Sequence, residues 1–582
     1  MKIQSTFRNR TGSALMLVMI LGAIALAILA GVLSWAATSY RLTQRSIQYN
    51  QSVAAAEAAT EKVESQITRD FLAGGEQLVT QNLNAYRQTV PTPVDSSYWN
   101  AWVFDDGNGN PNQTYVQRVP GTNYTVLDAP YSGLNGYVST YTVASHATDT
   151  ASIQDVTGGV VQQLQLTGIP IFQFGMYSSG DMEISCGQPF NVTGHVHSNG
   201  ILYVEPDSNL TFESDVTAVV NVLFQRDTVD GDTRGAPAGA VVYVQTNSPT
   251  FPVEALTLPI GTTNTPEAIR EIIEPPTDPT EDPNSAIGKL RYYNQCDMII
   301  TVSDAGITAT SGEFNNFAAS VPTNEWSLFV ATTNSFWDAR EGKTVLPVDI
   351  NIGNLAAWSA TNTSLRPVLI GSTLSSIYVL DNRNLLATEL NAVRVYNGLQ
   401  LPANGLTVAT GRPLYVWGDY NELDTSKLGT SDTSATRPAS LVADAITFLS
   451  DTWVDGSTQQ GQTSEPNAAN TTVNAALLTG VVPTSPGHYS GGMENFPRFL
   501  ENWWASNTNT YNGSMIKMFP SLYATGVWGQ DYVYNPPARN WAFDSNFDDP
   551  TKLPPHTPQL LKVIRAQWAT VPPGTNSVAA VP

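Results

Sequence analysis

The chain has 582 residues, a formal net charge of −22, 42% hydrophobic but only 13% charged residues, and two cysteines. The charged share is about half of the ~25% usual in soluble domains while the apolar share is ordinary, which excludes a disordered acidic tail. With 28 Lys and Arg against 50 Asp and Glu, the balance also argues against a nucleic-acid partner, whose phosphates need clustered cations. The charge is unevenly divided, residues 1–70 summing to +3 and the remainder to −25, as in a membrane anchor followed by an exported body.

From Ala14 to Ala37 the chain reads ALMLVMILGAIALAILAGVLSWAA, without a charge. A run longer than the ~20 residues that cross a bilayer as helix predicts a transmembrane segment there. Lys2, Arg8 and Arg10 precede it, so the positive-inside bias predicts a cytoplasmic N-terminus and an extracytoplasmic body. A cleaved secretory signal, with an apolar region of ~7–15 residues, is the rival reading. Ala30, Ala36 and Ala37 could supply its small residues, but Leu42, Ile47, Val53, Ala56, Val63, Ile67 and Phe71 continue a helical spacing as far as Gly74-Gly75. The pattern predicts one helix over residues 13–72, about 90 Å long at 1.5 Å per residue.

The basic leader 1–12 ends in Gly12 before Ser13 and the apolar stretch, and a polar helical extension follows with AAEAATEKVE around Glu57. This N-terminal region resembles that of PilX-type minor pilins, over about the first 70 residues. The resemblance implies a cut between Gly12 and Ser13 by a prepilin peptidase. It also implies an inner-membrane helix packed beside other pilins or pseudopilins, and a place at or near a type IV filament tip or the cell surface. Major pilins carry glutamate at the fifth mature position; here that position is Leu17, which argues against a repeating shaft subunit. Gly22, Ala23, Ala27, Ala30 and Gly31 would permit close approach of neighbouring helices. A plain uncleaved signal anchor is the alternative.

The expected fold is mainly β behind the long transmembrane helix. Residues 73–170 read as a pilin-like head, with a short helix over Glu76–Gln88 and, beyond Pro91 and Pro93, antiparallel strands over about 98–170. Within 171–480, very short strands at Met182–Ser185, Phe190–Val192, Ile201–Val204, Leu210–Phe212 and Val216–Val219 are separated by Gly, Pro and Asn. They predict an irregular parallel β-helix or solenoid-like ectodomain, with a β-sandwich as the alternative. The texture returns at 366–421 and 440–449, without a strict period. An acidic, proline-rich insertion over about 252–295 reads as an exposed linker carrying a helix at Pro266–Ile273. Residues 481–582 read as an aromatic-rich C-terminal region packing on the β domain, with an amphipathic helix at Glu494–Trp504.

Few residues suggest chemistry. His195 and His197, at i and i+2 of a strand, could share a face as metal ligands, but no third histidine is near in sequence. Asp106, Asn108 and Asn110 alternate oxygen ligands as a calcium loop begins, yet Pro111 and Gln117 stand where an EF-hand needs glycine and glutamate, so a hairpin turn is expected. Cys186 and Cys296 could form a disulfide outside the membrane or remain two buried thiols. No nucleophile elbow, Walker A loop or HExxH helix occurs, and the many acids single out no catalytic pair. The reading is therefore non-enzymatic and without a cofactor, an anchored carbohydrate-active β-helix enzyme being the runner-up and a static envelope protein the third. Trp503, Trp504, Trp528, Tyr532, Tyr534 and Trp541 cluster near the C-terminus and could form a platform for a surface glycan or protein ligand, or simply pack in the core.

Overall fold

A computed structural model describes residues 11–128, 130–152, 154–231, 237–315, 317–369, 373–456, 467–503, 506–529 and 533–576. The leader residues 1–10, Trp504 and Tyr532 lie outside the described residues. Helix α1 runs Thr11–Gln81 and is interrupted at Gly74 and Gly75, where φ/ψ of −141°/16° and 68°/−169° leave the helical region. Gly75 occupies a positive-φ conformation that glycine tolerates best, so the pair breaks the long helix at the stop that the sequence suggests. A short helix α2, Leu83–Arg87, follows.

The helix has two regimes. From Leu15 to Tyr49 its large apolar side chains are exposed, whereas Ser52, Ala55, Ala56, Ala59, Thr60, Val63, Ile67 and Phe71 are buried. The buried set recurs every three or four residues, which puts it on one stripe of the helix. The stripe lies on an antiparallel sheet built from β1 (Trp102–Asp105), β2 (Tyr115–Arg118), β3 (Asn123–Val126), β4 (Asn135–Asp149) and β5 (Thr157–Pro170). The long strand β4 pairs with β1, β2 and β3 along one edge and with β5 along the other. Val63, Ile67 and Phe71 share a core with Val116, Tyr141, Val143, Leu164 and Leu166. Ala55, Ala56 and Ala59 meet Phe104, Ala147 and Val160, their small size letting the helix sit close to the sheet.

The outer edge of β5 is taken by Gln559–Val571, antiparallel, with Gln559 opposite Pro170 and Val571 opposite Gly159. Residues 171–558 therefore leave the head at one strand and return at its neighbour. The aromatic-rich C-terminal region expected to pack on the β domain is divided accordingly. Thr508–Pro520 and Ala538–Phe543 are strands of the body, and Gln559–Val571 belongs to the head.

The body is β-rich, with a large mixed sheet and two three-stranded parallel sheets. Short strands repeat at intervals of 20 residues: Met182, Leu202 and Val222 stand side by side in one parallel sheet, as do Phe190 and Leu210 in another and Met176, Val196 and Val216 in the large sheet. In the large sheet, Met298–Ser303, Ser376–Asp381, Leu406–Ala409, Ala439–Ala443, Thr471–Val481 and Thr508–Pro520 stack in parallel. Thr508–Pro520 then pairs in parallel with Phe174–Ser178, so the two stretches of short strands that are far apart in sequence form one ladder. Parallel pairing of this kind is not the antiparallel arrangement of a β-sandwich.

Two expectations fail here. The insertion at 252–295 is not an exposed linker. Pro266–Arg270 is helical, but Leu256, Leu258, Ile260, Ile269, Ile272, Ile273 and Tyr292 are buried in a core shared with Ile169, Ile171, Phe172 and Leu560. Pro266, Glu267, Glu271, Asp278, Pro279 and Asp282 are exposed, whereas Ile260, Ile269, Ile272 and Ile273 are buried. The reversal is fixed by Asp444, which is fully buried and accepts from Arg270 Nη1 at 2.7 Å and from the backbone N–H of Leu522, Tyr523 and Ala524 at 2.6, 3.0 and 2.8 Å. Over residues 494–503 no amphipathic helix forms either: Met493–Asn495 is a single 3-10 turn, and Arg498–Phe499 pairs in parallel with Thr447–Phe448.

Candidate functional site

The apolar segment of α1 has none of its surface covered by the rest of the chain. Fourteen large apolar side chains from Leu15 to Trp35 are exposed, Leu17 to 61% and Trp35 to 72%. At ~1.5–3 kcal/mol for each side chain left in water, the segment carries roughly 20–40 kcal/mol of unrealised burial, which a bilayer or neighbouring helices would recover. A Cβ added at Gly22 or Gly31 would meet no atom within 4 Å, and Ala23, Ala27 and Ala30 are as exposed as their neighbours. Gly12 and Ser13 lie in the first turns of α1. The junction between the free and covered parts of the helix is tight. Ser52 Oγ donates to Val156 O at 2.8 Å, and a Cβ on Gly158 would come within 2.5 Å of the Val53 backbone nitrogen. From the returning strand, Arg565 Nε donates to Glu64 Oε1 at 2.7 Å, so both ends of the chain hold the helix.

The residues that suggested chemistry are engaged structurally. His197 is fully buried, stacks on Tyr177 with centroids 5.6 Å apart, and uses both ring nitrogens: Nε2 with Asn199 Oδ1 at 2.9 Å and Nδ1 with Thr217 Oγ1 at 2.8 Å. Asn199 Oδ1 also accepts from Leu256 N, so Nε2 carries the proton and Nδ1 accepts from the threonine. Burial lowers the His197 pKa to about 4. His195 is half-buried, and burial lowers its pKa as well. In the Asp106 turn the carboxylate accepts from the backbone N–H of Asn108 and Asn110 at 2.9 and 3.1 Å, and from their side-chain amides at 3.3 and 2.9 Å. The turn thus directs donors at the carboxylate that a cation would need. Among the described residues no group of three or more His, Cys, Asp or Glu could hold a metal ion.

Cys186 and Cys296 are both free and buried, the second of the two alternatives that the sequence leaves open. Cys186 belongs to the core of the ladder and Cys296 to the core beneath the insertion, so the two thiols serve different packing layers. Burial pushes the Cys186 thiol up to about 12 and that of Cys296 well above its ordinary range. A serine–histidine contact, Ser376 Oγ to His556 Nε2 at 2.9 Å, was not legible in the sequence. The serine is fully buried and its Oγ also accepts from Asp297 N at 2.9 Å, a fastening rather than an exposed nucleophile.

A cleft of about 320 Å³, also missed by sequence reasoning, opens between the loops after Ile184 and Val204 and the segments around residues 226, 489–495, 528 and 539. Its floor is Glu494, 3% exposed, whose Oε1 accepts from Ser185 N and from Tyr489 Oη, both at 3.1 Å. Burial raises its pKa to about 7. Gly491 and Gly492, at φ 98° and 65°, make the room: a Cβ on the first would meet Trp528 Cδ1 at 2.8 Å, and a Cβ on the second would collide with Tyr489 and Glu494. The wall is braced by a chain in which Trp528 Nε1 donates to Tyr534 Oη at 3.1 Å, Tyr534 Oη donates to Asn495 Oδ1 at 2.6 Å, and Arg539 Nη2 donates to the same oxygen at 2.8 Å. Of the aromatic platform expected near the C-terminus, Trp503 is fully buried and Tyr534 and Trp541 nearly so, while Trp528 is half-buried on this wall.

No family model matches the chain, and no curated protein matches it. Among solved structures it is similar to the crystal structure of the competence-associated pilin ComZ from Thermus thermophilus, with 10% identity over 90% of this chain and 97% of that chain and a TM-score of 0.29.

Proposed function

We propose that this chain is a non-enzymatic, membrane-anchored surface protein of the minor-pilin type, PilX-like at its N-terminus, that displays a β-helix-like body outside the cell for adhesion or assembly. The observation that carries the reading is the division of α1. Its apolar part is bare from Leu15 to Trp35, and its later part is clamped to a sheet that both ends of the chain build. A helix free over residues 13–51 projects about 58 Å at 1.5 Å per residue. That is enough to cross a ~30 Å hydrocarbon layer and leave a polar stalk below the head. Prepilin peptidase would cut between Gly12 and Ser13, and neighbouring pilin helices would pack against the Gly22, Ala23, Ala27, Ala30 and Gly31 face. The basic leader supports a cytoplasmic N-terminus, and the stacked parallel strands support a rigid, elongated presentation of the body.

Mass spectrometry of the mature N-terminus in cells that express a prepilin peptidase tests this reading. A chain that starts at Ser13 is expected; an intact Met1 would overturn it.

A further inference from the structure

A second cavity, of about 290 Å³, lies where α1 breaks at Gly75 and is walled by the helix, the head sheet, the insertion and the returning segment 556–561. Its volume is at the lower end of the ~300–1,000 Å³ of small-molecule pockets, room for one ring rather than a chain of them. The buried side chains Phe71, Leu166 and Leu561 give it an apolar wall. Gln295, half-buried, and Gln559, exposed, line the same space, and neither carboxamide makes a hydrogen bond among the described residues or is closed off from solvent. Gly168 leaves room for one of them, since a Cβ there would overlap Gln559 Oε1. His556, on the rim, sits at φ 60° and is fixed by the contact of its Nε2 with Ser376 Oγ. Residues held in so uncommon a conformation gather at ligand clamps. The lining holds one charged residue, Glu76, whose Oε1 accepts from Arg118 Nε at 2.6 Å and from Tyr141 Oη at 3.2 Å. Burial lowers the pKa of His556, so its ring adds no charge at neutral pH, and the neighbouring Asp297 carboxylate accepts from Ser375 N, Ser375 Oγ and Ser376 N at 2.7, 2.8 and 3.1 Å. A charged ligand would therefore lose hydration without meeting an unpaired ion in this lining. What remains open is two carboxamides, each with a donor and an acceptor side by side, next to an apolar wall. An acetamido sugar answers both: its amide and hydroxyls donate and accept, and its methyl group and C–H faces are apolar.

We infer that the cavity at the helix break binds one neutral acetamido sugar residue, its polar groups met by the carboxamides of Gln295 and Gln559 and its methyl group by the wall of Phe71, Leu166 and Leu561. This rests on the proposed role in adhesion and deepens it by naming a ligand class. The two fail separately: the anchor reading fails at the mature N-terminus, whereas this one fails in a titration.

Full-length protein in lipid nanodiscs, which avoid sugar-headed detergents, is titrated with N-acetylglucosamine, N-acetylgalactosamine, glucose and glucosamine, the last carrying an ammonium group in place of the amide. Calorimetry and ligand-observed NMR report binding. At least one of the two acetamido sugars is expected to bind saturably and more tightly than glucose and glucosamine. Gln295→Leu and Gln559→Leu are each expected to weaken it by about tenfold, about 1.4 kcal/mol, at an unchanged melting temperature, because neither carboxamide holds the chain together. Should one variant unfold, the other decides. The proposal is overturned if neither acetamido sugar binds, if glucose or glucosamine binds as tightly as the better of them, or if binding is undiminished in the folded variants.

Discussion

Gly158 is where the long helix rests on the head sheet, and replacing it with alanine tests whether that contact is real. A Cβ there would lie 2.5 Å from Val53 N, 2.8 Å from Ser52 C and 3.0 Å from Ser52 Cβ. Ordinary contacts of this kind are near ~3.5 Å, so the helix or β5 would have to move by about an ångström. Two of the three atoms are backbone and cannot rotate away. The displaced segment carries Ala55, Ala56 and Ala59, which are 0–2% exposed, so the shift opens the packing on Phe104, Ala147 and Val160 as well. Overpacking of this sort costs ~1–3 kcal/mol, and backbone against backbone belongs at the upper end. For a unit of the head's size the melting temperature should fall by roughly 4–10 °C. Gly180 supplies the control, because its added Cβ would meet nothing within 4 Å and Gly180→Ala should leave melting unchanged. Thermal unfolding in nanodiscs, with limited proteolysis near residue 52 as a second readout, measures both. Equal melting of the two variants would refute the close helix–sheet contact.

Asp444→Ala removes the carboxylate that gathers Arg270 and three backbone N–H groups, leaving those three donors unsatisfied and Arg270 with Glu274, at 2.8 Å, as its remaining ion-pair partner; a loss of ~3–5 kcal/mol in denaturant unfolding of the body is expected, and less than ~1 kcal/mol would contradict that role. Stability should also depend on pH in two opposed ways. Burial holds the protons of Glu494 and Glu501 up to about pH 7 in the folded chain, whereas an unfolded glutamate releases its proton near 4.5, so stability falls as pH rises between those values, by at most about 3 kcal/mol per group. His197 acts in the reverse sense: folded it stays neutral down to about pH 4, unfolded it protonates near 6.5, so its contribution is complete above 6.5 and lost as pH falls toward 4. Urea midpoints from pH 5 to 8 should show a shallower alkaline decline in Glu494→Gln/Glu501→Gln than in the parent, and an identical slope would refute the buried acids. Alkylation of the denatured, unreduced protein should add two groups by mass, one each at Cys186 and Cys296, whereas the native protein should react slowly; an unreduced chain that takes up none would establish a disulfide instead.

What the sequence by itself determined is what short-range patterns can carry. The charge-free run at Ala14–Ala37 is longer than a bilayer requires, and the apolar spacing beyond it, with no proline before Gly74-Gly75, defines the long helix and its break. Gly, Pro and Asn punctuation places the short strands Phe190–Val192, Ile201–Val204 and Leu210–Phe212 at the residues where they stand in the structure. Their pairing was beyond its reach. A parallel ladder joins strands through backbone groups common to all residues, so nothing local announces that Thr508–Pro520 lies beside Phe174–Ser178, or that Gln559–Val571 closes the head sheet opened some 400 residues earlier. The insertion misled for a related reason: its prolines and acids are conspicuous in one dimension, while the isoleucines that bury it acquire meaning only against a core contributed by distant strands. The cleft is the extreme case, since Ser185, Arg226, Glu494, Trp528 and Arg539 belong to separate segments. Nothing local marks it, although Gly491-Gly492 stands close before Glu494 in sequence. Tertiary structure alone decided that the acid beside those glycines would be buried, leaving one acceptor oxygen without a partner among the described residues.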